Sequence, residues 1–124
     1  NGIHPDLFGH PGIPRVGGLD DLSPLYSSRA TPWIIALGDL ARRRALIDRL
    51  HQRPPARPAL AVCHPGAYVS PTARIGPGAL VAPHAVVHAL AVIDAHAIVN
   101  TGAIVEHECA IGENGHLAPG SILG

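Results

Sequence analysis

The sequence predicts a mainly β protein: a parallel β-helix of hexapeptide repeats, preceded by part of a small Rossmann-like α/β domain. An aliphatic residue recurs at every sixth position from Val69, through Ile75, Val81 and Val87, to Leu123, without a miss. A small residue stands four places after each, from Ala73 and Ala79 to Cys109, Gly115 and Ser121. A six-residue period fits neither the 3.6 of a helix nor the plain alternation of a flat strand, but it fits a coil in which each hexapeptide forms one side. Composition agrees: 47% of residues are hydrophobic but only 3% aromatic, so the interior must be a thin stack of small aliphatic side chains.

The division this implies is 1–62 for the α/β part and 63–124 for the β-helix. In the first part, Gly and Pro punctuate the opening eighteen residues and predict loop, with residues 13–16 as a short edge strand. Residues 33–37 form a continuous apolar run that reads as a buried parallel strand ended by Gly38. Asp39 is placed to N-cap a helix over residues 40–52, with Leu40, Ile47 and Leu50 as its apolar stripe, Arg42, Arg43, Arg44 and Arg49 clothing the rest, and Pro54 and Pro55 ending it. Residues 59–62 then read as the next strand, completing a βαβ length.

In the second part, three hexapeptides close one triangular turn. The small residue and the aliphatic residue two places on point inward, and the residues between and after them point outward. The remaining two positions make the corners, where Pro71, Pro77 and Pro83 and Gly78, Gly102 and Gly120 fall. On this register Asn100 and His116 share one face, and His107 sits at the corner between the other two. The outward aliphatics, among them Leu80, Val86, Ile98, Ile104 and Ile122, are what a subunit interface would cover.

The formal net charge is zero, which predicts no electrostatic capture of nucleic acid or of an anionic membrane. No apolar run is long enough to span a bilayer, and two cysteines are too few for a disulfide framework, so the expected setting is cytoplasmic, with Cys63 and Cys109 as small core residues. Asn1 in place of a methionine, and a last residue in mid-repeat, predict a stretch of a longer protein.

Three segments carry a resemblance. Asn100-Thr101-Gly102-Ala103, Glu106-His107-Glu108-Cys109 and His116-Leu117-Ala118-Pro119-Gly120 resemble the core motif of the left-handed β-helix sugar acetyltransferases, which include nucleotide-amino-sugar N-acetyltransferases and sialic-acid O-acetyltransferase-like proteins. The resemblance covers the chain from about His64 onward; the first part is similar only in outline, through Gly17-Gly18-Leu19-Asp20-Asp21-Leu22 and Ile35-Ala36-Leu37-Gly38. It implies left-handed coils, a homotrimer, acetyl-CoA as acyl donor, no metal, and a sugar or nucleotide-sugar acceptor. By the same resemblance His107 is the general base, Glu108 its support, His116 the contact to the acetyl-CoA thioester, and Asn100 a lining residue. Gly38 and Asp39 are candidates for a nucleotide pocket, though a strand end and a helix cap explain them equally.

The chemistry suits these residue types, because acetyl transfer from a thioester needs a base for the acceptor's proton and a donor for the developing oxyanion. Glu106 flanks the same histidine and is an alternative support for it. His84, His88 and His96 are expected to be solvated surface residues. A prism side of about 15–20 Å separates His107 from His116 in one chain, so a joint site would cross a subunit boundary. Two other readings use the same coils: a zinc hydrolyase of the γ-carbonic-anhydrase type, although no two histidines here have the five-residue ligand spacing of those enzymes, and a catalytically silent trimeric scaffold.

Overall fold

The structure is a computed structural model, and it describes residues 32–52 and 58–124. Its main body is a parallel β-helix of eleven two-residue strands, β1 (Val62–Cys63), β2 (Tyr68–Val69), β3 (Arg74–Ile75), β4 (Leu80–Val81), β5 (Val86–Val87), β6 (Val92–Ile93), β7 (Ile98–Val99), β8 (Ile104–Val105), β9 (Ala110–Ile111), β10 (His116–Leu117) and β11 (Ile122–Leu123). They stack into three parallel ladders, β1-β4-β7-β10, β2-β5-β8-β11 and β3-β6-β9. Each residue pairs with the one eighteen places on, as in Leu80 to Ile98 and Ile98 to His116, which is the spacing of three hexapeptides per turn. The coils begin earlier than the repeat suggests, since Val62 and Cys63 already pair with Leu80 and Val81.

The inward register is as read from the sequence. Ala79, Val81, Ala85, Val87, Ala91, Ala97, Val99, Ala103 and Val105 are all fully buried in one cluster. Between strands the chain must turn about 120° within two residues, and the second of these takes a left-handed conformation at every corner from Gly78 to Gly120. Glycine supplies it at Gly78, Gly102 and Gly120; His84, Leu90, His96, Glu108 and Asn114 adopt it with φ of 58–60°. Corner amides donate to the coil below, as from Gly102 to Pro83 and from Glu108 to Ala89, so stacking holds these backbones in place.

The one helix among the described residues, α1 (Leu40–Gln52), has the bounds its caps predict. Arg42 N–H donates to the Asp39 carboxylate at 2.8 Å, which satisfies one of the orphan amides of the first turn. Its buried face is Arg43, Ile47 and Leu50, at i, i+4 and i+7, whereas Leu40 is 42% exposed. The expectation that Arg43 clothes the outer surface is therefore overturned: it is 2% exposed. Its guanidinium finds acceptors that the helix sequence does not show, donating to the Leu37 and His96 carbonyls and to Asn114 Oδ1. Burial lowers its pKa from the ordinary arginine value. Bonds to a charged donor contribute about 1.5–3 kcal/mol each, so Arg43→Ala should detach α1 and lower its amide protection by at least about tenfold while the coils stay intact. Hydrogen exchange resolved by segment would measure this.

Of the expected βαβ unit, the helix alone is formed among the described residues. Residues 33–37 and 58–61 make no ladder, and one backbone bond, from Leu60 N–H to the Trp33 carbonyl, joins them. Of the strand expected at 59–62, Val62 alone lies in a strand, β1, the first side of the coils, where its N–H bonds the Ala79 carbonyl. The edge strand expected at 13–16, and the segment 17–22, lie outside the described residues.

Candidate functional site

The corner between the β2 and β3 ladders stacks Pro71, Ala89 and His107 in one column and Thr72, Leu90 and Glu108 in the next. His107 and Glu108 are both exposed, with 72% and 69% of their side chains accessible, and His107 Nδ1 lies 3.2 Å from Glu108 Oε2. A carboxylate only accepts, so the proton of this bond belongs to Nδ1, and in the neutral ring the lone pair is on Nε2. The left-handed backbone of Glu108 is not a mark of function, because the other corners share it.

The alternative support, Glu106, is engaged elsewhere. It faces His88 Nε2 at 3.9 Å, one coil below in the same column. The sequence predicts a plain solvated residue at His88, and the eighteen-residue spacing from 88 to 106 is the signal for its contact. Of the two flanking carboxylates, Glu108 is thus the one that meets His107.

On the β7 and β10 side, Asn100 and His116 share a face, as their register requires, with Asn100 Nδ2 2.9 Å from His116 Nε2. Asn100 Oδ1 accepts from Thr101 N–H at 2.8 Å, which turns the amide nitrogen toward His116. Nε2 must then accept, so the imidazole proton sits on Nδ1 and His116 presents an outward N–H donor. His116 also borders an open cavity of about 280 Å³ whose other walls include Ile111, Leu117 and Leu123. His107 and His116 occupy opposite parts of the triangular section, a corner and the ladder across from it.

Three sequence-based expectations change here. His96 is not a surface residue: it is 7% exposed, under Trp33 and beside Arg43, because α1 docks over its corner. Cys63 keeps the inward register but is exposed on the first described coil, while Cys109 does pack against the core. Ile98, expected to need a partner subunit to cover it, is already 7% exposed between Leu80 and His116. Asp39 caps α1, whose first residue, Leu40, accepts from Asn114, two places before His116, and a side chain on Gly38 would meet nothing within 4 Å. Among the described residues, no three His, Cys, Asp or Glu side chains converge as metal ligands, and no helix is long and apolar enough to cross a membrane.

No protein-family model matches the chain, and no curated protein sequence matches it. Solved structures do. The acetyltransferase domain of PglB from Neisseria gonorrhoeae is similar at 33% identity and a TM-score of 0.67, over 75% of this chain and 44% of that one. PerB from Caulobacter crescentus, in complex with CoA and GDP-perosamine, is similar at 35% identity and a TM-score of 0.65, over 72% of this chain and 42% of that one. A histidine-to-asparagine mutant of the perosamine N-acetyltransferase from the same organism, also with CoA and GDP-perosamine, is similar at 32% identity and a TM-score of 0.79, over 90% of this chain and 52% of that one. The chain is similar to left-handed β-helix, hexapeptide-repeat sugar acetyltransferases.

The chain spans about half the length of the solved structures it matches. The ladders and the inward stack set the spacing of the outward side chains of the coils. Within that frame, two exposed histidines are each held by a neighbouring side chain that fixes the tautomer.

Proposed function

We propose that this chain is part of an acetyl-CoA-dependent acetyltransferase that acts on a sugar amine or hydroxyl, and specifically on the amine of a nucleotide-linked amino sugar used in surface-glycan synthesis. The observation that carries the reading is the His107–Glu108 pair, whose 3.2 Å contact leaves Nε2 as an exposed base. Two of the similar structures hold CoA with GDP-perosamine, and another PglB structure holds acetyl coenzyme A, which supports the donor and the class of acceptor.

In the proposed reaction the neutral acceptor nitrogen attacks the thioester carbonyl. His107 Nε2 takes the proton from that nitrogen, with Glu108 stabilising the resulting imidazolium. His116 Nδ1–H donates to the oxyanion, in the orientation fixed by Asn100. Collapse breaks the C–S bond, and the proton on His107 passes to the CoA thiolate. No covalent enzyme intermediate is needed.

The two histidines lie on different parts of one coil section, so the reading includes a homotrimer in which His107 of one subunit meets His116 of its neighbour. The outward side of the β2 ladder supports this: Tyr68 and Ile122 are 56% and 66% exposed, with Val86 and Ile104 half-buried between them. Residues 1–62 belong to the acceptor-binding part in this reading and 63–124 to the acyl-transfer part. A cytoplasmic setting suits the two free cysteines.

The test is thiol release from acetyl-CoA by the full-length protein against a panel of nucleotide-linked amino sugars and free sialic acids. Release with a nucleotide-linked amino sugar, and acetylation at its nitrogen by mass spectrometry, is expected. Acetyl-CoA binding without release across the whole panel would establish a silent scaffold instead.

A further inference from the structure

The corner column of Gly78, His96 and Asn114 is where α1 meets the coils, and acetyl transfer uses none of it. His96 is buried there with its ring centroid 5.9 Å from that of Trp33. The ring lies over Gly78, where a Cβ would collide with it and with the Ala59 methyl, so the absence of a side chain at Gly78 makes the space. His96 Nδ1 is buried without a hydrogen-bond partner among the described residues. The His96 carbonyl accepts from Arg43, which also bonds Asn114 and Leu37, and Asn114 Nδ2 donates to the Leu40 carbonyl at 3.3 Å. One buried imidazole thus sits inside the joint that fastens the helical segment to the β-helix.

We propose that this joint is an acid-released latch: α1 and residues 32–39 stay docked while His96 is neutral, and leave the coils when its ring takes a proton.

A proton on Nδ1 would point an N–H at the Gly78 backbone and the Ala59 methyl, where no acceptor waits. Of the charged and titratable groups that face the ring, the cationic ones add to this cost and Glu113 opposes it. Arg43, Arg44 and His51 approach from α1, and the coil offers Glu113, which already meets Arg44 at 3.2 Å and His51 at 3.3 Å. Burial lowers the His96 pKa first; Glu113 opposes the shift, and Arg43, His51 and Arg44 add to it.

The sign follows directly. Undocked, the ring is solvated and titrates near its ordinary value of about 6.5, so below that pH the undocked state binds more protons than the docked one. Docking is therefore at full strength above about pH 6.5, weakens as pH falls from there, and reaches its floor below the lowered docked value. The coils do not share this weakness, because their inward stack of Val81, Val87, Val99 and Val105 carries no group that titrates there.

Segment-resolved hydrogen exchange of the protein at about pH 7.5 and about pH 5.5, corrected for intrinsic rates, reads the latch. Amides of α1 should lose protection by about tenfold or more at the lower pH while those of β4 to β9 keep theirs. Emission from Trp33, the sequence's one tryptophan, should change over the same window. His96→Asn keeps a residue that tolerates the left-handed corner and removes the titration, so α1 protection in this variant should no longer depend on pH, whatever its absolute level. Equal α1 protection of the wild type at both pH values overturns the proposal. So does an unchanged pH response in His96→Asn, or a response abolished by His51→Gln instead, which would assign the effect to the His51–Glu113 pair.

Discussion

Replacing His107 with alanine in the full-length enzyme should lower kcat by about 10²–10⁴ and leave acetyl-CoA binding close to that of the wild type. The range is what loss of a positioned general base typically removes. Donor binding should survive because the His107 ring is exposed at a corner, where among the described residues its Nδ1 meets Glu108. Glu108→Gln should give a smaller loss in kcat, since the amide can still orient the ring but carries no charge to stabilise the imidazolium. His116→Ala should instead weaken donor use, because in the proposed reaction its N–H donates to the oxyanion of the thioester. Each variant on its own lacks one half of the site. Mixed and reassembled, the two inactive proteins should regain part of the activity, because some boundaries then join an intact His107 to an intact His116. Near-normal turnover by His107→Ala would remove it from the mechanism. Mixed assemblies that stay inactive, with subunit exchange verified, would place the whole site within one chain.

The coils were legible in the sequence because a β-helix writes its geometry directly into a period. The same six-residue step fixes the inward stack of Val81, Val87 and Val99, the face shared by Asn100 and His116, and the corner that holds His107. The bounds of α1 were legible for a local reason: an Asp39 carboxylate can bond only the amides of a first turn that follows it.

What was not legible depends on contacts between residues far apart in the chain. Arg43 reads as a surface residue within its helix, and its burial is decided by the His96 carbonyl, 53 residues away, and by Asn114, 71 residues away. His96 reads as one more corner histidine until Trp33 and α1 are laid over it. The choice between Glu106 and Glu108 as partner of His107 was undecidable from adjacency alone, since both are neighbours. The structure puts Glu108 against His107 at 3.2 Å, and Glu106 lies 3.9 Å from His88, one full turn earlier. The strand expected at 33–37 shows the reverse case, where a local apolar run finds no ladder among the described residues; Ile35 is buried instead against Ile47 and Leu50 of α1.

Val99→Asp should destabilise the β-helix by about 4 kcal/mol or more, the largest stability effect expected of a single substitution in this chain. Val99 is fully buried, and its ladder neighbours Val81 and Leu117 sit directly below and above it. The other residues at its level, Ala97, Ala103 and Val105, are equally buried and apolar. A carboxylate placed there finds no donor and no room for water, and the stack cannot turn it outward without reversing the alternation that buries every other aliphatic residue. Thr101→Asp, two positions along on an exposed turn, places the same charge in solvent and should stay within about 0.5 kcal/mol of the wild type. Urea unfolding of both variants, followed by circular dichroism, makes the comparison. A Val99→Asp protein that unfolds at the wild-type midpoint would mean that Val99 does not point inward, and with it the placement of Asn100 and His116 on a common face would fall.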